Sequence, residues 1–301
     1  MRYRLKDILP FGKPKTPGFG VNRQFYLSVL ASSSKLPTLL DIANPEEKDG
    51  AIKGFGVPLK KDSTKESLSE PLMRGAYAIA SPDRKTVLRL VVVSKEEAGF
   101  DADALVKSPL GAQFSPDTRT RVLAAWNILQ FTFETHDPMV YPAIDFLHTV
   151  VRRSAELADG IVADPLSQTY IRPEEMILGH DPGLPFATQA LVQIKSKEDA
   201  NGWHLWTMGL YKFNMPEIEV YGLEAPAVEP GTRLLLGIAQ TCLKGTKLEQ
   251  GEKIGSPKMP FSIAAGGLDR GMWEGIPCVE LIPGRSGTAT AGVLQWNSEL
   301  A

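Results

Sequence analysis

The chain has little of what specialised chemistry usually leaves in a sequence. It holds 2 cysteines, Cys242 and Cys278, in 301 residues. That is too few for a thiolate metal site or a disulfide framework, and both are expected to be reduced. No apolar run approaches the roughly 20 residues needed to cross a bilayer. The N-terminus lacks the apolar stretch of a signal peptide, so a cytoplasmic chain with no membrane partner is expected. An excess of one charge is missing too. The net charge is -2, which gives no footing for a nucleic-acid groove.

Catalytic fingerprints are equally scarce. Neither H-E-x-x-H nor C-x-x-C occurs. The run Gly284-Arg285-Ser286-Gly287-Thr288 lacks the spacing of a P-loop, and Thr288 replaces the second glycine of a nucleophile elbow. No cofactor and no metal are expected. His136-Asp137 and His180-Asp181 each precede proline and invite a divalent-metal reading, but no further ligands recur at helical spacing. Asp137 is better explained as the N-cap of a helix that Pro138 opens. Asp181-Pro182-Gly183 reads as a turn. His148 falls beside the apolar stripe of that helix. No residue is assigned a catalytic role.

What is present is an ordinary globular composition, 43% apolar and 23% charged, enough for one large domain or two modest ones. Strands are expected at 24–31, 73–80, 86–93 and 127–133, with helices near 35–43 and 116–126. That order suggests the split βαβ arrangement of a ferredoxin-like sheet in the N-terminal half. A strongly periodic helix follows at 138–157, then short strands at 160–163 and 169–171. Three antiparallel strands are read at 187–195, 203–211 and 216–221, followed by a helix from Pro230 to Gly245.

The fold class is therefore α+β, with mixed or antiparallel sheets and helices packed on one face. Residues 1–20 form a flexible basic arm (Arg2, Arg4, Lys6, Lys13 and Lys15 among prolines). Residues 21–158 and 159–301 form two α+β halves, or one continuous domain. The polar stretch at 44–71 reads as disorder, a loose hairpin or a flap.

Function is sought in the strand pair around residues 203–221. Trp203 and Trp206 make both faces of one strand apolar, as a covered central strand requires. His204 lies between them, either as a pH-tuned group or as a satisfied core histidine. Tyr211, with Phe213 and Tyr221, extends an aromatic set of the kind found in ligand grooves, protein interfaces and cores. Glu217 and Glu219 alternate with apolar residues and read as a solvated face. Glycoside hydrolysis would need two carboxyls across a cleft, not two on one strand. The binding candidates are Trp203, His204, Trp206, Tyr211, Glu217 and Glu219.

The run from Trp203 to Val220 resembles the core motif of a bacterial domain family of unassigned function, T-x-G-L followed by P-E-[IL]-E-V. Thr207, Gly209, Leu210, Pro216, Glu217 and Glu219 carry the match. The segment Gly160-Ile161-Val162-Ala163-Asp164-Pro165, with Tyr170 and Pro173-Glu174-Glu175, resembles that family's upstream strand and turn. A looser similarity reaches the suppressor-of-fused group of eukaryotic signalling regulators and bacterial immunity proteins, over about residues 160–282. That likeness implies a protein partner and a regulatory or immunity-type role, and carries over no catalytic residue. The competing expectation is a hydrolase-like enzyme whose site is assembled from residues distant in sequence, using His204 with Glu217 or Glu219.

Overall fold

The computed structural model describes residues 21–22, 24–43, 68–81, 85–133, 140–267, 275–284 and 287–300. The basic arm, residues 44–67 of the polar stretch and the His136-Asp137 pair lie outside them. In chain order the first elements are β1 (Tyr26–Ala31), α1 (Leu39–Ile42), β2 (Gly75–Ala80), β3 (Val87–Ser94), α2 (Ala102–Lys107), α3 (Pro116–Leu123) and β4 (Asn127–Phe133). Next come α4 (Val140–Leu157), β5 (Gly160–Asp164), β6 (Thr169–Ile171), α5 (Thr188–Leu191), β7 (Gln193–Asp199), β8 (Gly202–Met208) and β9 (Glu217–Leu223). The chain closes with α6 (Val228–Leu243), β10 (Lys253–Gly255), β11 (Pro260–Ala265), β12 (Cys278–Pro283) and α7 (Ala289–Ser298).

Local chemistry sets the helix starts. The Ser115 hydroxyl accepts from the Thr118 amide ahead of Pro116, and Asp101 and Thr288 cap α2 and α7 in the same way. Thr38 and Asp41 form a reciprocal capping box at α1. Helix was expected from residue 35, but Pro37 disfavours helical backbone at the residue before it, so the helix starts only after Thr38.

The protein is α+β, built on two six-stranded sheets ordered β2-β3-β4-β1-β5-β6 and β10-β11-β12-β9-β8-β7. A ferredoxin-like first half is not what forms. A split βαβ unit needs a parallel pair joined by a crossover helix, whereas β1 lies between β4 and β5 and runs antiparallel to both. Helices α2 and α3 join β3 to β4, which are antiparallel neighbours. The parallel pair occurs in the second sheet, between β9 and β12.

Helices on one face holds only for the second sheet. Gly231 of α6 approaches Leu205 and Leu223, with Val293 of α7 close by. In the first sheet Leu27 and Val29 join the main core with Ile144, Leu147 and Val151 of α4, while Leu30, Ile128 and Ile161 pack with Val122 and Ala125 on the opposite side. The main apolar cluster runs from Phe25 to Val293 and takes residues from both sheets.

Two strand readings also change. The span read as a strand from 187 contains α5, whose first turn receives the Asp181 carboxylate at the Thr188 amide, 2.8 Å. The strand read through Tyr211 ends at Met208, because Gly209 has φ +132° and a Cβ there would lie 2.0 Å from the Leu191 carbonyl oxygen. Residues Leu210–Phe213 instead form a 3-10 turn. That turn delivers Lys212, at 0% exposure, into the contact between the sheets. Its ammonium pairs with the Asp164 carboxylate and donates to the Ser167 hydroxyl at 2.5 Å and the Leu191 carbonyl at 2.6 Å.

Gly209→Ala should therefore cost on the order of 3 kcal/mol of unfolding free energy in chemical denaturation. Gly237→Ala, inside α6 with open space around its Cα, should instead stabilise by about 0.5–1 kcal/mol.

Candidate functional site

Strand alternation turns the even residues of β8 away from α6 and α7. On that other side Trp206 of β8 lies in register with Glu219 of β9, and Glu219 in register with Glu280 of β12. The His204 ring stacks on Tyr221 at 3.8 Å and 8°, and meets Trp206 at 4.6 Å and 31°. His204 Nε2 lies 3.2 Å from Glu219 Oε2, and the Tyr221 hydroxyl donates to the same oxygen at 3.2 Å. Glu219 Oε1 accepts from the Gly267 amide. The backbone can come this close because Gly266 has no side chain: a Cβ there would sit 2.8 Å from the same oxygen.

Electrostatics follow from burial. Desolvation first, and the Glu219 carboxylate second, push the Cys278 thiol up, so it stays protonated at neutral pH and is a poor nucleophile. The same two causes raise the Tyr221 phenol and the Glu280 carboxyl, while His204 pulls Glu280 the other way. The result is a half-buried surface of aromatic rings and carboxyls suited to contact a cationic group.

Of the candidates read from sequence, His204, Trp206 and Glu219 come together here. Trp203 does not join them; it packs against the main core. Glu217 and Glu219 are not a solvated face, since both are buried. Glu217 accepts from the Thr207 hydroxyl at 2.6 Å and from the amides of Gly209 at 2.8 Å and Tyr211 at 3.0 Å. Burial raises its pKa and these donors oppose the rise. Its role is to hold the turn after β8, and Tyr211 belongs to that turn. The T-x-G-L and P-E elements of the sequence thus meet through one carboxylate.

His148 is half-buried near Lys212 and Asp164. Desolvation, then the Lys212 charge, lower its pKa to about 4, so it is neutral at pH 7. His180 is exposed, and among the described residues no group of three His, Cys, Asp or Glu could hold a metal ion.

Sequence reading missed Cys278 and Glu280, which reach the site from a parallel strand some sixty residues downstream; their two-residue spacing was the available signal. Trp126 was read only as a helix end. It is 63% exposed, with the Lys95 ammonium 5.8 Å from its ring centre.

Because folding raises the Glu280 pKa, the folded chain holds that proton more tightly than the unfolded chain does. The contribution is favourable below the ordinary carboxylate pKa and is lost as pH climbs through the raised value. Glu280→Gln should raise unfolding free energy slightly at pH 8, the gain being limited by partial exposure, and leave it nearly unchanged at pH 4. Denaturation curves at the two pH values check this.

Compared with known proteins, the chain matches no family model, no curated protein and no solved structure.

Proposed function

We propose that this chain is a cytoplasmic protein-binding module of regulatory or immunity type, with no catalytic step of its own, and that the half-buried face of the second sheet turned away from α6 and α7 receives the partner. The observation that carries this reading is the row Trp206, Glu219 and Glu280, flanked by Tyr221, on the side of the sheet opposite both packing helices. Tryptophan and tyrosine supply large contact area at little entropic cost and are enriched at interfaces. Ile282 adds an apolar side chain at 41% exposure on the same strand face as Glu280. A partner's arginine or lysine would stack on Trp206 and offset the Glu280 charge. The partner surface is therefore a basic segment with an apolar neighbour.

The His204–Glu219 contact supports the second reading, a hydrolase-like enzyme in which the carboxylate orients the imidazole. Parallel pull-downs from the native host, using wild type, Trp206→Ala and Glu280→Lys, separate the two. Binding predicts one stoichiometric partner with wild type and about tenfold lower affinity with each variant in titration calorimetry. No such partner, together with hydrolytic activity lost in His204→Ala, would replace binding with catalysis.

A further inference from the structure

The registers that assemble the face also order its charge from strand to strand. Residues directly opposite in neighbouring strands send their side chains to the same side of a sheet. Lys195 of β7 is paired with Trp206, Trp206 with Glu219, and Glu219 with Glu280. One step along, Lys197 is paired with His204, whose ring stacks on Tyr221, and Ile282 follows two residues after Glu280. The side of the sheet turned away from α6 and α7 thus runs from two ammonium groups on β7, across rings on β8 and β9, to a carboxyl and an apolar side chain on β12. Both ends reach solvent: Lys197 is exposed, and Ile282 is 41% exposed. Lys195 donates to the Gln168 carbonyl of the first sheet's side at 3.2 Å, which leaves Lys197 as the cation that a ligand meets first.

Resting on the binding reading above, we propose that the partner segment is an extended strand laid across β7, β8, β9 and β12. It sets an acidic residue over Lys197, an apolar residue over the His204–Tyr221 stack and a basic residue over Glu280. Neighbouring strands lie about 4.8 Å apart, so β7 and β12, with β8 and β9 between them, are separated by about 14 Å. An extended chain rises about 3.3 Å per residue, so a four-residue step covers about 13 Å. The two-residue offset between Lys197 and Glu280 along the strands is within reach of long, flexible lysine side chains. Alternate residues of an extended chain face the same way. The first, third and fifth residues of the order acidic-x-apolar-x-basic therefore all turn towards the sheet, and the third packs on rings. Charge complementarity selects this occupant. A segment basic at both ends would set like charges over Lys197, and one acidic at both ends would do so over Glu280.

Titration calorimetry of the full chain with two synthetic peptides tests this. One carries the core Glu-Ala-Phe-Ala-Lys and the other Lys-Ala-Phe-Ala-Lys, in identical flanks. Wild type should bind the first about fivefold more tightly, and the difference should shrink as salt is raised. Lys197→Glu, an exposed substitution on β7, should reverse the preference, which no general loss of folding can do. Equal affinities in wild type, or a preference unmoved by Lys197→Glu, would overturn the proposal while leaving a basic partner at Trp206 and Glu280 intact. Binding of neither peptide also overturns it, and Trp206→Ala in the parallel pull-downs then decides the binding reading by itself. A chain that dimerises in sedimentation velocity, with the dimer lost in Lys197→Glu, would place a second copy on this face and overturn the proposal as well.

Discussion

An ammonium group removed from water costs several kcal/mol unless acceptors replace its hydration. Lys212 meets that demand with three: the Asp164 carboxylate at the end of β5, the Ser167 hydroxyl and the Leu191 carbonyl. Two of them belong to the edge of the first sheet and one to the approach to β7. The lysine comes from the turn between β8 and β9. Its satisfaction therefore requires the two sheets to be docked, and the backbone agrees: the Lys212 carbonyl accepts from the Asn22 amide at 2.7 Å. Each half of the chain supplies part of a polar contact that neither can complete alone.

The same turn fixes the proposed binding face. Glu217 gathers the Thr207 hydroxyl and two amides, so β8 and β9 meet in one register, and that register brings Trp206 beside Glu219. Two glutamates spaced alike on one strand thus have different work. Glu217 ties backbone, while Glu219 faces a histidine, a phenol and a neighbouring carboxyl. Burying charge in both places costs stability that an apolar pair would not. In the second place that cost falls next to the aromatic side chains of the proposed binding face.

How much of this was legible in the sequence varies with the physics involved. Strand β4 was read to the residue because NILQFTF is β-rich and bounded by a capped helix and polar residues. The register of β9 with β12 was not legible, since parallel pairing depends on a crossover and not on local pattern. Alternation in Glu217-Ile218-Glu219-Val220 pointed to a solvated face. The error was to equate charge with water: buried carboxylates look the same in sequence as exposed ones, and only the donors arranged around them tell the two apart. Lys212 carried no signal at all, because a lysine in a turn is ordinarily solvated. The aromatic core of the site, Trp206 and His204, was legible; its downstream half was not.

The central claim is that the Lys212 ammonium and the Asp164 carboxylate lock the two sheets into one cooperative unit. A double-mutant cycle with Lys212→Met and Asp164→Leu, followed by chemical denaturation, tests it most directly. Each single variant should lose about 3–5 kcal/mol, because each leaves a buried charge without its partner. The double variant should lose clearly less than the sum of the two. Single losses below about 1 kcal/mol, or losses that simply add, would contradict the account.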